Sequence, residues 1–255
     1  MARVERQLSL ADVDAVVLAG GLGTRLETTL EGVPKLLAPI GGRPYLDYLI
    51  DWLSRSGVKR LILSLGHLSD KIIQHLGTNP NPAMDISVSV EPAPQGTAGA
   101  LRFAGHFLKS DPVLVLNGDS YVSASLDAFL AHYFSHDVLG AILCAAVDDA
   151  DRYGTVDVDR DGLIQGFAEK DGVGGGPSYV SAGVYLLGKE LRASIARGSE
   201  KSLETDVFAR LAPGSLAAMT GEFEFVDIGT PESLAQAQHF FSRHFPRLAS
   251  RGTPQ

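Results

Sequence analysis

From Ala15 to Val147 the chain alternates short apolar runs with segments of helical period, and this rhythm restricts the fold more than any other feature. Ala15–Leu18, Leu61–Leu65, Ile86–Val90 and Val113–Leu116 read as buried strands. Arg43–Gly57 reads as a helix: Tyr45, Leu46, Leu49, Trp52 and Leu53 form an apolar stripe, Pro44 sits in the first turn, and Gly57 stops it. Ser69–Leu76, capped by Ser69, Ala98–Leu108 and Leu126–Phe134 read as further helices. Strands separated by helices pair in parallel and must be covered on both faces. The expected architecture is α/β, a three-layer αβα Rossmann-like sandwich around a mostly parallel, mixed central sheet.

After Val147 the rhythm changes. Thr155–Val158 and Leu163–Phe167 flank the turn Asp159-Arg160-Asp161-Gly162 and read as a hairpin. Asp171–Pro177 is a glycine-rich loop, Val180–Leu187 and Glu222–Val226 are strands, and Leu203–Leu211 and Glu232–Phe241 are helices. One domain over residues 1–255 is expected, with a lobe over 12–147 and a smaller β-rich lobe over 148–255. The formal net charge of −8 argues against nucleic-acid binding, which needs a basic face. The single cysteine, Cys144, excludes a disulfide framework and reads as a buried strand residue. Met1–Asp14 has no apolar core of a secretion signal, and no apolar run nears the roughly 18 residues of a membrane span, so a cytoplasmic protein is expected.

The first chemical signal is Leu18-Ala-Gly-Gly-Leu-Gly-Thr-Arg-Leu26, directly after a strand. Gly20, Gly21 and Gly23 let backbone N–H groups approach a bound anion. The loop is neither a Walker A motif, lacking the Lys-Ser/Thr, nor a dinucleotide fingerprint, since Leu26 stands where a third glycine is needed. Arg25 supplies a fork suited to phosphate oxygens, and Lys35 follows in Val33-Pro34-Lys35-Leu36. Cations so placed stabilise charge on a phosphoryl group under attack.

Gly20-Gly-Leu-Gly-Thr-Arg-Leu26, Pro34-Lys35, Pro39 and Arg43-Pro44 together resemble the signature of sugar-1-phosphate nucleotidyltransferases. The resemblance continues in order through Glu91-Pro-Ala-Pro-Gln-Gly-Thr-Ala-Gly-Ala100, Asn117-Gly118-Asp119, Arg152-Tyr153-Gly154, Glu169-Lys170, Ser181-Ala-Gly-Val-Tyr185, Glu204-Thr205-Asp206 and Asp227-Ile-Gly-Thr-Pro231. Within the family the chain looks most like the D-glycero-α-D-manno-heptose 1-phosphate guanylyltransferases, through Leu46-Asp-Tyr-Leu49 and Glu91-Pro.

The resemblance implies a nucleotidyltransferase fold with a sugar-binding second lobe, and an enzyme that joins an NTP to a sugar 1-phosphate and releases pyrophosphate. Arg25, Lys35 and Asp119 take catalytic places in it. Ala19, Gly20, Gly21, Gly23, Thr24, Glu91, Gly96, Thr97 and Gly118 take the nucleotide places. Tyr153, Gly154, Glu169, Lys170, Gly183, Thr205 and Asp206 take the sugar-phosphate places. Asp119 and Asp227, 108 positions apart, are the expected ligands of Mg²⁺, which prefers few protein carboxylates and completes its shell with phosphate and water.

The family's common proline after Glu-Lys is Asp171 here, and its asparagine before Ala-Gly is Ser181, so sugar contacts are expected to differ at both places. A carboxylate at Glu91 can accept both N1–H and N2–H of guanine, whereas uracil and thymine present acceptors there; GTP is the expected nucleotide. A uridylyl-, thymidylyl- or cytidylyltransferase for another sugar phosphate stays open, as does a non-catalytic sugar-nucleotide sensor. A glycosyltransferase would need a second aspartate near Asp119, which Asn117-Gly-Asp-Ser120 lacks. The expected partners are the two substrates, with neither nucleic acid nor membrane, and self-assembly as a homo-oligomer left open.

Overall fold

The structure is a computed structural model and describes residues 8–21, 23–147, 154–168 and 178–245. Tyr153, Glu169, Lys170 and the 171–177 loop lie outside the described residues.

In chain order the elements are β1 (Asp14–Ala19), α1 (Glu27–Leu30), β2 (Pro39–Ile40), β3 (Arg43–Pro44), α2 (Tyr45–Arg55), β4 (Arg60–Leu65), α3 (Ser69–Thr78), β5 (Asp85–Val90), α4 (Gly96–Ala104), β6 (Val113–Asn117), β7 (Ser120–Val122), α5 (Leu126–Phe134), β8 (Gly140–Val147), β9 (Thr155–Val158), β10 (Ile164–Ala168), β11 (Ser178–Leu187), α6 (Lys189–Arg197), β12 (Leu216–Gly221), β13 (Phe225–Asp227) and α7 (Pro231–His244). Among the described residues, nine strands form one mixed sheet. β6, β1, β4 and β5 lie side by side in parallel. β11 runs antiparallel to β6 on one side and to β8 on the other, and β12 adds to β8 in parallel. The β9–β10 hairpin joins β11 at Val180. This one sheet therefore runs through both halves of the chain.

Two apolar clusters cover its faces. The larger gathers α2, the Phe240–Phe241 end of α7 and side chains such as Val17, Leu63 and Leu116. The other packs Ala98, Leu101, Leu191 and Phe208 on Val16, Ile62, Val115 and Tyr185. Alternate residues of β1 thus enter opposite clusters, as the two-residue period of a strand requires. Each large apolar side chain buried in this way stabilises the fold by about 1.5–3 kcal/mol. Cys144 is buried in β8, and burial pushes its thiol pKa up to about 12.

The expected strands and most helices are present, with three corrections. Arg43-Pro44 forms a two-residue strand before α2, because Pro44 holds an extended backbone of φ −58°, ψ 140°. Ser69 opens α3 without capping it: Leu68 holds the cap position in a left-handed backbone, φ 61°, with no side-chain bond. Residues 203–211 form no continuous α-helix; one π-turn (Leu203–Val207) passes into a 3₁₀ turn (Phe208–Arg210). No helix among the described residues is long and apolar enough to cross a membrane.

Candidate active site

Four parallel strands end at the same edge of the sheet, and each delivers a site segment there. β1 ends in the glycine loop, β4 in Gly66-His67, β5 in Glu91 and β6 in Asn117-Gly118-Asp119. The chain order reverses beside β1, with β4 and β5 on one flank and β6 on the other. Open α/β sheets bind ligands in the crevice outside the carboxyl ends at such a point. Here that crevice is a cavity of about 590 Å³, the volume of a nucleotide-sized pocket.

Its floor is built by close backbone approach. Gly118 donates its amide to the Leu18 carbonyl at 2.8 Å, and a Cβ on Gly118 would sit 2.8 Å from that same oxygen. A Cβ on Gly66 would lie 2.5 Å from the Gly20 carbonyl oxygen, so the turns after β1 and β4 touch through bare backbone. Ala19, Gly20, Gly21 and Gly23 line the cavity, and Gly23 takes φ 64°, open to glycine at little cost. Thr24 and Arg25 follow in a 3₁₀ turn.

Glu91 closes the far wall. Glu91 is 6% exposed, and a Cβ on Gly20 would collide with its carboxylate. Oε2 accepts from the Gln95 amide at 3.1 Å and Oε1 from the Ser64 hydroxyl at 3.4 Å. Burial raises the Glu91 pKa above the ordinary carboxylate value, and the two hydrogen bonds oppose that rise. Gly96, also on this wall, adopts φ 74° against the Lys201 backbone, where any side chain would collide. The Thr97 hydroxyl accepts from the Leu203 amide at 2.8 Å and donates to Glu204 at 3.4 Å, so it ties α4 to the π-turn.

The charged groups meet at the β6–β7 corner. β13 pairs antiparallel with β7, placing Asp227 opposite Ser120, and the Ile228 amide donates to the Asp119 carbonyl at 2.8 Å. Two aspartates far apart in sequence are therefore neighbours. Lys35 donates to Asp119 Oδ2 at 2.9 Å. Asp227 Oδ1 accepts from the Gly229 amide at 2.8 Å and the Ser233 hydroxyl at 3.1 Å, which fix its orientation at the start of α7. Gly229 reports where the cations are: a methyl group there would lie 2.9 Å from Asp227 Oδ1, 3.7 Å from an Arg25 guanidinium nitrogen and 3.8 Å from the Lys35 ammonium. Arg25, Lys35, Asp119 and Asp227 thus share one corner of the crevice.

A second network runs from this corner toward β11. Glu204 Oε1 accepts from the Tyr185 hydroxyl at 2.5 Å and the Asn117 amide at 3.5 Å, while Oε2 takes Thr97 and Ser202. Burial and the adjacent Glu204 carboxylate hold Tyr185 far above the ordinary phenol pKa, so it remains a donor. Gly183, at φ 71°, packs directly on the Asn117 side chain. Among the expected sugar-side residues, Gly154 is exposed just before β9 and Thr205 is exposed on the π-turn. Asp206 turns back to accept from the Lys201 and Ser202 amides, both at 3.0 Å. Glu204 and Asn117, rather than Thr205 and Asp206, are the side chains of these segments that link to the cavity wall. The sequence signal for Glu204 was its place in the Glu204-Thr205-Asp206 match; nothing in that tripeptide says which member faces inward.

The family model described as "Nucleotidyl transferase" matches residues 14–244. A D-glycero-α-D-manno-heptose 1-phosphate guanylyltransferase of Campylobacter jejuni is 31% identical over 220 residues, 86% of this chain and 96% of that protein. One of the same name from Aneurinibacillus thermoaerophilus is 29% identical, covering 89% and 97%. The crystal structure of HddC from Yersinia pseudotuberculosis superposes with a TM-score of 0.79 at 32% identity, over 90% of this chain and 99% of that one, and its complex with GMP-PN superposes at 0.77.

Proposed function

The chain belongs to the nucleotidyl transferase family, and from that premise we propose that it transfers GMP from GTP to a sugar 1-phosphate, D-glycero-α-D-manno-heptose 1-phosphate, with release of pyrophosphate. One observation carries the reading: Arg25, Lys35, Asp119 and Asp227 converge beside a nucleotide-sized cavity whose far wall ends in the buried carboxylate of Glu91. The relatives named as heptose 1-phosphate guanylyltransferases and the HddC complex with GMP-PN support the choice of nucleotide and sugar.

In this reading residues 12–147 hold the nucleotide and 148–255 the sugar phosphate. The glycine loop takes the phosphates on its amides, and Glu91 accepts from the guanine edge. A carboxylate oxygen has two acceptor sites, so guanine can share it with Gln95 and Ser64. Tyr153, Gly154, Glu169, Lys170 and Gly183, with Glu204 in place of Thr205 and Asp206, serve the sugar side, and Lys170 clamps its phosphate. A phosphate oxygen of the sugar attacks the α-phosphorus in line. The new P–O bond forms as the bond to the β-phosphate oxygen breaks, and the electron pair leaves with pyrophosphate. No general base is required, because the attacking phosphate is already ionised near neutral pH.

Asp119 and Asp227 would hold Mg²⁺. The donor set fits it: two hard carboxylates, Asp227 at the end of β13 and Asp119 in the turn just before its partner β7, leave places for phosphate and water. When bound, the ion would supply charge neutralisation at the phosphates. Arg25 and Lys35 provide fixed positive charge where the transition state gathers negative charge. Orientation of two mutually repelling anions can contribute roughly 7–11 kcal/mol more.

A panel of GTP, UTP, dTTP and CTP against heptose, mannose and glucose 1-phosphates, scored by pyrophosphate release, tests this. Release with GTP and the heptose phosphate above all other pairs is expected. Preference for a pyrimidine nucleotide would overturn the guanine assignment, and nucleoside diphosphate as product would overturn the reaction class.

A further inference from the structure

Two serines interrupt the apolar layer between α4 and the sheet. In β4, Leu61, Leu63 and Leu65 enter one cluster and Ile62 the other, where Ala98, Ala100 and Leu101 of α4 cover it. Ser64 takes the next place on that second face and is fully buried. Its hydroxyl lies 3.4 Å from Glu91 Oε1 and 3.5 Å from the Ala100 carbonyl oxygen. Ser89, its partner across the β4–β5 ladder, is also buried, and the Ser89 hydroxyl has no hydrogen-bond partner.

A buried hydroxyl costs free energy unless it is bonded, and an alanine would occupy the same apolar place without that cost. What Ser64 contributes therefore lies in what it reaches. Of its two acceptors the ionised carboxylate is the stronger, since a charged partner makes a hydrogen bond about twice as strong. The carboxylate in turn needs a second hold. The Glu91 backbone is set by its amide, which donates to the Leu65 carbonyl at 2.8 Å, and Oε2 is fixed by the Gln95 amide at 3.1 Å. The terminal torsion of a glutamate is broad, so one bond fixes one oxygen and leaves the carboxylate plane free to turn. Ser64 bonds the other oxygen, and a donor on each oxygen fixes the plane.

We propose that Ser64 is a positioning residue for base recognition: its hydroxyl, donating to Glu91 Oε1, holds the carboxylate in the plane that accepts both N1–H and N2–H of guanine. The inference rests on the assignment of Glu91 to guanine made above. Two parallel hydrogen bonds need both oxygens in the plane of the ring edge, so a turned carboxylate keeps one bond at the expense of the other. N1–H is common to guanine and hypoxanthine, whereas N2–H belongs to guanine alone. The role of Ser64 is therefore read in the preference for GTP over inosine triphosphate. Glu91 lines the cavity and Ser64 does not, so the serine acts through the glutamate without touching substrate.

The test is equilibrium titration of the full chain with GTP and with inosine triphosphate, without sugar phosphate, and a separate measurement of turnover. Ser64→Ala is expected to narrow the ratio of the two dissociation constants about tenfold, the scale of one hydrogen bond to a charged group, while kcat stays within about twofold. Ser64→Cys, close in size but a much weaker donor, is expected to narrow the ratio as well. Ser89→Ala makes the same chemical change in the same layer on a hydroxyl that bonds nothing, and is expected to leave the ratio unchanged. A ratio within about twofold of wild type in either Ser64 variant, an equal narrowing in Ser89→Ala, or a kcat that falls as far as the ratio would overturn the proposal. Glu91→Gln separates the two layers. If it removes the preference for GTP and Ser64→Ala keeps it, only the serine's role fails; if it too keeps the preference, the guanine assignment of Glu91 fails with it.

Discussion

Lys35 donates to Asp119 Oδ2 across 2.9 Å, and the two residues reach that contact from a 3₁₀ turn and from the end of β6, 84 positions apart. The pair is partly exposed, at 21% and 33% of the side chains, so its worth to stability is at most about 1 kcal/mol. Its worth to catalysis is larger, since the same ammonium lies beside Asp227 and Arg25 where phosphate charge is to be met. Lys35→Ala is expected to lower kcat by about 10²–10³-fold, while the thermal midpoint moves little. Equal losses of activity and stability would mark the lysine as structural.

Glu91 separates base recognition from folding. Its pKa is raised in the fold, so the folded protein holds this proton more readily than the unfolded chain. Such a group favours folding below its unfolded pKa, and that contribution is lost as pH rises through the raised value. At neutral pH the buried charge is therefore a cost, and Glu91→Gln should raise the midpoint at pH 7, with a smaller gain near pH 4. The same change should reduce the preference for GTP over UTP by at least about tenfold, as loss of a charged hydrogen-bond acceptor does. A stabilised variant with unchanged base preference would remove Glu91 from guanine recognition.

Gly66 tests the touching backbones. In Gly66→Ala the new methyl meets the Gly20 carbonyl oxygen at 2.5 Å, and backbone on both sides leaves nothing flexible to yield. A loss of about 1–3 kcal/mol in stability is expected, together with a raised KM for the nucleotide, read by denaturant titration and initial rates. An unchanged KM would show that the glycine loop is placed independently of β4.

Much of this was legible in the chain itself, for identifiable reasons. Leu126–Phe134 has the bounds expected of it, and in the structure the Ser125 side chain caps it by accepting from the Ala128 amide. The loop after β1 stood out because its glycines directly follow a strand and Arg25 and Lys35 come after them. The nearness of Asp119 and Asp227 was not readable from spacing: the strand expected over Glu222–Val226 forms as β13 over Phe225–Asp227, but its partner β7 is three residues long, too short to announce itself. The helix expected over 203–211 failed because Glu204 and Thr97 pull that backbone toward α4, and tertiary bonds outweighed local propensity. Asp206, expected among the sugar-phosphate residues, has one carboxylate oxygen bound by two backbone amides, as short acidic side chains often allow.

Cys144 offers a direct check on the sheet. With its thiol at the middle of β8 and a pKa of about 12, it should be inert to Ellman's reagent in the native protein and react fully in denaturant. Rapid native labelling would contradict the burial of β8 between β11 and β12.

In the proposed reaction two distant aspartates act as one unit in nucleotidyl transfer. The direct measurement is pyrophosphate release from GTP and heptose 1-phosphate by Asp119→Asn, Asp227→Asn and the double variant. Each single change is expected to cost several orders of magnitude and the double no more than the worse single, because half of the pair is as good as none. Losses that multiply in the double variant, or a single variant with near wild-type turnover, would contradict it.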